Sequence, residues 1–201
     1  MRLSKQENYM TTAVTNILLV GVGGQGILLA SEILAEAFML AGFDVKKSEI
    51  HGMSQRGGSV VSHVRFGEKV FSPVVPEGEG DILFGFELLE TCRYLDLLRP
   101  GAKVIANDLR IPPPSVLLGN ESYPEDLGSK ISAKFPDFIL VDGLRLATEA
   151  GNPRAANTVL LGAVSKHLQI EDSVWRKALQ KMVPAKALDI NLKAFQSGRS
   201  I

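Results

Sequence analysis

The chain has 201 residues, 45% of them hydrophobic, and its 22 Lys plus Arg are balanced by 22 Asp plus Glu. That content can bury a sizeable core and excludes a disordered chain, while the charge balance removes any global electrostatic case for nucleic acid or an anionic membrane surface. The longest apolar run is far short of the roughly 20 residues a membrane span needs, and the one cysteine, Cys92, excludes an internal disulfide and a cluster that takes about four thiolates.

In chain order, MRLSKQENYM lacks the apolar centre of a signal peptide, which predicts a cytoplasmic protein. Residues 1–14 are polar and aperiodic, a flexible segment in which Met10 is a second candidate start, and residues 15–201 read as a single domain. The stretch that organises the chain is NILLVGVGGQGILLASEILAEAFMLA, residues 16–41. Ile17, Leu18, Leu19 and Val20 form a buried strand, Gly21, Gly23 and Gly26 a tight turn, and the next fifteen residues a helix with Ile33, Ala37, Leu40 and Ala41 on one face. Gly21 and Gly23 let the backbone turn and approach another group, and Gly26 lets the helix start pack against the strand. Such a turn suits an anion or a partner backbone equally.

A dinucleotide site would add an acid about 20 residues on, at the end of the next strand. Residues 43–48 read as that strand, with Glu49 following. Yet Glu49 opens into IHGMSQRGGSV, a polar glycine-rich loop in place of a second crossover helix. The stand-alone alternative, a small NAD(P)-binding reductase, therefore lacks its usual second unit. In the loop, Arg56 beside Gly57 and Gly58 either holds a phosphate or carboxylate in bidentate fashion or pairs with Glu49. His51 and Gln55 share that loop, and Ser54 has no evident base.

Residues 59–66 are rich in β-branched side chains, turn at Gly67 and Glu68, and return over residues 69–72 as a hairpin, which makes the sheet mixed. A Pro/Gly loop (73–80) leads to a strand at 81–86, a helix over 87–98 stopped by Pro100 and Gly101, and a strand at 103–107. In that helix Cys92 reads as a buried small hydrophobe rather than a nucleophile. Pro112, Pro113 and Pro114 set a polyproline-like path; a helix runs from Pro124 to Lys134 and a last strand over 138–141. Helices follow at 144–150, 155–167 (nearly all apolar), 170–182, and after Pro184, where Leu188, Leu192 and Phe195 share a stripe and Gly198 is the stop. The order predicts an α/β fold: a three-layer α/β/α sandwich, Rossmann-like, with a mixed sheet containing a β-hairpin and with C-terminal helices that wrap the sheet or dock a partner. His51, His63 and His167 are too scattered for a metal centre, and no hydrolase triad, P-loop or carboxylate pair is present, so no residue is assigned a catalytic role.

Four separated motifs occur in one order: GVGGQG, HGMSQRGGSVVSHVRFG, VFSPVVPEGEGDILFGFE and AANTVLLGAV, with a closing NLKAFQSG. Together they resemble the gamma-type domain of 2-oxoacid:ferredoxin oxidoreductases, most in the form carried by the beta subunit of indolepyruvate:ferredoxin oxidoreductase. The resemblance implies a complex that oxidatively decarboxylates a 2-oxoacid to an acyl-CoA, using thiamine diphosphate, Mg2+ and [4Fe-4S] clusters, with electrons passing to ferredoxin. One cysteine and no thiamine diphosphate signature put those centres on a larger partner subunit, so this chain is expected to bind no cofactor alone. On this reading Gly21, Gly23, Gly24, Gln25 and Gly26, with His51, Gln55, Arg56, Gly57 and Gly58, face the partner or CoA. The isolated subunit is a candidate homodimer through the same surface.

Overall fold

A computed structural model describes residues 14–51 and 58–201. Six strands form one mixed sheet in the order β2-β3-β1-β4-β5-β6: β1 (Thr15–Val22), β2 (Asp44–His51), β3 (Ser59–Gly67), β4 (Gly80–Gly85), β5 (Leu98–Asn107) and β6 (Ile139–Val141). β1, β4, β5 and β6 pair in parallel, and β3 runs antiparallel to both β1 and β2.

The apolar run of β1 is buried on both faces, as a central strand of a three-layer fold requires. On one face lie helix α1 (Ile27–Leu40) and the C-terminal helices α6 (Ala156–Ser165), α7 (Asp172–Met182) and α8 (Leu188–Arg199), enclosing Phe38, Phe84, Trp175 and Phe195. On the other, α2 (Leu88–Arg93) and α4 (Leu127–Lys134) cover Leu18, Leu83 and Val104. The short helices α3 (Pro114–Leu117) and α5 (Gly143–Glu149) follow the carboxyl ends of β5 and β6. From β1 the chain crosses by α1 toward β2; from β4 it crosses by α2 to β5. The direction reverses between β1 and β4, and their carboxyl ends form the crevice where open α/β sheets bind ligands.

Several expectations shift. The hairpin exists, but its arms are β2 and β3. Residues 69–72 form no strand, because both edges of β3 are already occupied by β1 and β2. The segment instead lies along side-chain hooks: Val70 N–H donates to Asp44 Oδ2 at 2.9 Å, and Arg65 Nη1 donates to the carbonyls of Ser72 and Val74. The helix expected over 87–98 ends at Arg93, and β5 begins at Leu98, with Pro100 and Gly101 inside a strand whose pairing with β4 slips between Gly80 and Ile82. Pro114 opens α3 rather than extending the polyproline path, and α4 starts at Leu127 because Asp126 is left-handed (φ 55°). The buried face of α1 includes Ile33 and Ala37 but turns Leu40 to solvent.

Gly198 is not a stop. It lies within α8, where α6 and α8 cross backbone to backbone: a Cβ on Gly198 would fall on the Val159 carbonyl, and one on Gly162 on the Phe195 carbonyl. The C-terminal helices thus wrap the sheet, α7 on α1 and α8 on α6. No helix of the described residues is long and apolar enough to cross a membrane.

Candidate functional site

The glycine turn sits at the crevice, and its sequence is explained mainly by Gln25. That side chain accepts from Val22 N–H at 2.7 Å and donates to the Phe86 carbonyl at 3.0 Å. One amide therefore stitches the end of β1 to the end of β4, filling the gap a single strand end would leave unsatisfied. Its Oε1 would stand 2.6 Å from a Cβ on Gly21, so Gly21, inside β1, gives way to Gln25 rather than turning the chain. Gly26 is the left-handed N-cap of α1 (φ 80°), and a Cβ there would lie 2.6 Å from Asn157 Nδ2. Its neighbour is thus α6, not the strand.

Gly23 N–H donates to the Gly58 carbonyl at 2.9 Å, which joins the turn to the far root of the loop. The near root is there as well: His51 pairs with Val60, and Val60 pairs with Gly21. The structure therefore brings together Gly21, Gly23, Gly24, Gln25, Gly26 and Gly58, with the backbone of His51 on the same edge. Gln55, Arg56 and Gly57, and with them Ser54 and any Arg56–Glu49 pair, lie outside the described residues. Glu49 lies within β2, not after it. Its carboxylate accepts from Ser31 Oγ at 3.1 Å and pairs with Lys47 at 2.9 Å. With β3 inserted between β2 and β1, it stands level with Leu19, two strand spacings, roughly 10 Å, from β1 and short of the turn.

A cleft of about 430 Å3 opens over the turn, lined by Gly24, Gln25 and Gly26 on one side and by Phe86, Leu109, Leu144 and Leu160 on the other. Three polar residues of its wall escaped the sequence reading. Asn107, buried at the end of β5, accepts from Gly143 N–H at 3.1 Å and so ties β5 to the start of α5. Asn157 accepts from Thr158 N–H at 2.9 Å, which leaves its amide nitrogen toward the turn. Arg154 is exposed at the rim, and among the described residues its guanidinium has no ion pair. The signal for all three was present as polar residues placed just after a strand or at a helix start, but AANTVLLGAV reads first as an apolar helix.

On the opposite face of the crevice two buried carboxylates hold the surroundings. Glu87 caps α2 by accepting from Glu90 N–H at 2.8 Å; its other oxygen accepts from Ile111 N–H at 3.1 Å and Tyr123 OH at 2.5 Å. Burial, then the hydrogen bond to Glu87 and its charge, push the Tyr123 phenol far up, so it stays a donor. Glu90 accepts from Ser59 Oγ at 2.5 Å, with Tyr94 OH 3.1 Å from the same hydroxyl, anchoring the residue after Gly58.

The remaining candidates are structural. His63 is buried, accepts from Val75 N–H on Nδ1 at 3.1 Å, and is pushed down by burial and then by Arg65. His167 lies by Lys103, off the crevice. Cys92 is half-buried against the second core cluster; burial raises its thiol, the opposite of an activated nucleophile. Among the described residues no group of three His, Cys, Asp or Glu is placed to hold a metal ion. The cleft thus offers amide donors, one cation and an apolar wall. It is suited to holding an anionic ligand with an apolar part, or a partner's backbone, and among the described residues that line it there is no nucleophile–base pair.

A model of the pyruvate ferredoxin/flavodoxin oxidoreductase family matches residues 16–201. The chain is 40% identical over 195 residues to indolepyruvate oxidoreductase subunit IorB of Thermococcus kodakarensis, covering 91% of this chain and 93% of that one. It is 31% identical to the pyruvate/ketoisovalerate oxidoreductases common subunit gamma of Thermococcus litoralis, over 73% and 74% of the two chains. Among solved structures, the gamma subunit of a keto/oxoacid ferredoxin oxidoreductase from Geobacter sulfurreducens PCA superposes with a TM-score of 0.66 at 25% identity, covering 92% of this chain and 96% of that one. A 2-oxoglutarate:ferredoxin oxidoreductase from Magnetococcus marinus shares the fold at 21% identity and a TM-score of 0.71, over 93% of this chain but 30% of its own.

Proposed function

This chain belongs to the pyruvate ferredoxin/flavodoxin oxidoreductase family, and from that premise we propose that it is the cluster-free subunit of a 2-oxoacid:ferredoxin oxidoreductase whose substrate is indolepyruvate or another aryl pyruvate. The carrying observation is the 40% identity to a subunit named for indolepyruvate, over nearly the full length of both chains. Residues 15–201 act as one domain, in the cytoplasm. The complex converts the oxoacid to acyl-CoA and reduces ferredoxin, with thiamine diphosphate, Mg2+ and [4Fe-4S] clusters on the larger subunit.

The chain's own part lies at the carboxyl edge of the sheet. CoA bears phosphates and an apolar pantetheine arm; the cleft opposes the exposed Arg154 and the Asn157 amide to Leu109, Leu144 and Leu160, which fits such a molecule. When bound, CoA supplies the thiol that accepts the acyl group. Gly24, Gln25 and Gly26, and with them Gln55, Arg56, Gly57 and Gly58, are assigned to face the partner or that ligand. The test is reconstitution. The isolated chain should neither turn over a 2-oxoacid nor hold flavin or nicotinamide, and mixing with the cofactor-bearing subunit should give CoA-dependent ferredoxin reduction. Within the complex Arg56→Ala should weaken assembly or raise the CoA requirement. Unaided turnover would overturn the reading, and an Arg56→Ala complex with unchanged assembly and CoA dependence would remove the loop from it.

A further inference from the structure

The sheet carries a second cleft at its other end. It has a volume of about 380 Å3 and opens where β1, β4 and β5 begin, against the turn that joins α6 to α7. It shares no lining residue with the cleft over the glycine turn. Its one carboxylate, Asp81, is already engaged on both oxygens: Oδ2 accepts from Asn16 N–H at 2.7 Å and Oδ1 from Arg99 Nε at 2.5 Å. The second bond fixes the guanidinium at its root, and among the described residues Nη1 and Nη2 of Arg99 have no acceptor. Lys103 also lines the cleft; its only ion pair among the described residues is with Asp137, 75% exposed and outside the lining, a contact that water largely screens. His167 completes the polar wall. Burial, then the charges of Lys103 and Lys166, hold its imidazole below the ordinary value, and among the described residues neither ring nitrogen has a hydrogen-bond partner. A wall of two cations and a free imidazole, whose only acid is occupied, selects an anion. The open Nη1–Nη2 edge of a guanidinium takes both oxygens of a carboxylate.

The apolar wall says what the anion is attached to. Phe38 and Phe66 stack with centroids 3.6 Å apart, and Phe43 meets Phe66 edge-on at 5.2 Å and Phe38 at 6.4 Å. Phe43 and Phe66 line the cleft and Phe38 does not, so this row of rings runs out of the core and ends there. A further ring in the cleft extends the row by the same edge-on or offset contact. The volume is that of a small-molecule site. We propose that this cleft binds a small aromatic carboxylate, with the carboxylate on Arg99 and Lys103 and the ring against Phe43 and Phe66. The inference does not rest on the function proposed above and concerns the opposite end of the sheet.

The experiment uses the purified full-length chain and three probes: phenylacetate, phenylacetamide, which keeps the ring and loses the charge, and acetate, which keeps the charge and loses the ring. The imidazole signals of the three histidines are followed by NMR, that of His167 being assigned with His167→Gln. Phenylacetate should move the His167 signal, and not that of the buried His63, with a Kd of about 1 mM or tighter, and should raise the pH midpoint of His167, because a neighbouring anion favours the imidazolium. Each of the other probes should bind at least about tenfold more weakly. Arg99→Gln and Lys103→Gln should each weaken phenylacetate about tenfold with the melting temperature unchanged; the second variant leaves the Asp81 contacts intact. Arg154→Gln, in the other cleft, should bind as wild type does. A His167 signal that phenylacetate at about 10 mM leaves in place overturns the inference. So does acetate binding as tightly as phenylacetate, which would make this a site for any anion, and so does a loss of binding confined to Arg154→Gln, which would put the ligand at the glycine turn. None of these results bears on reconstitution with the cofactor-bearing subunit, which tests the proposed function separately.

Discussion

Gln25 does for the crevice what a ligand does in many sheets of this kind: it satisfies the backbone where strand order reverses. Replacing it with Ala leaves Val22 N–H and the Phe86 carbonyl without their side-chain partner, at a cost of about 1–3 kcal/mol. Gln25→Glu keeps the acceptor and loses the donor, so its urea midpoint should fall between those of wild type and Gln25→Ala; equal midpoints for all three would show that water replaces the stitch. His63 makes a pH prediction. Burial and Arg65 hold it below its ordinary value of 6.5, so the unfolded chain binds the proton more readily than the folded one. Its neutral form contributes stability fully above pH 6.5, and that contribution is lost as pH falls from there toward the folded value. His167 shifts the same way, so the informative quantity is a difference. His63→Asn retains an acceptor for Val75 N–H and should flatten the fall in urea midpoint between pH 7.5 and 5.5 relative to wild type.

At the scale of elements, the pairs that sequence reading joined correctly were those set by local chemistry, and the errors arose where a distant neighbour decided. The strand, turn and helix over residues 16–41 followed from an apolar run, three glycines and an uninterrupted stretch. The hairpin was placed one arm too late because β3 has strand-like residues on both sides, and only the pairing of β2 on one edge and β1 on the other shows that no edge remains for residues 69–72. Gly198 reads as a stop for the same reason: glycine after an amphipathic stripe ends many helices, but here it answers Gly162 on α6. The distinction can be measured. Gly198→Ala should destabilise the protein by about 1–3 kcal/mol through the clash with the Val159 carbonyl, the reverse of what alanine does at an open helical site. Gly128, within α4 and with open space about its Cβ position, supplies the comparison: Gly128→Ala should stabilise by about 0.5–1 kcal/mol. If the two substitutions shift the thermal midpoint in the same direction, the close crossing of α6 and α8 is wrong.

For the whole molecule the question is what a Rossmann-like sheet becomes when one strand is inserted. The sequence made the glycine turn and the kinship with an oxidoreductase subunit legible, because those motifs are contiguous. It hid Asn107, Arg154 and Asn157, which enter the cleft from β5 and the start of α6 only after the sheet has assembled. It also left Glu49 as a candidate ribose acid, since the spacing was acceptable. Topology removes that role: β3 stands between β2 and β1, and Glu49 is engaged with Ser31 and Lys47. Gln25 and the Gly23–Gly58 bond take up backbone groups of the turn that a pyrophosphate would otherwise use. The isolated chain should therefore bind NADH and NADPH with Kd no tighter than about 1 mM, a free energy of roughly −4 kcal/mol, in a fluorescence titration, and Glu49→Gln should not alter the result. Micromolar binding that Glu49→Gln weakens would mean that the acid reaches the turn after all, and the inserted strand could not then lie where the ladder of β1 with β3 places it.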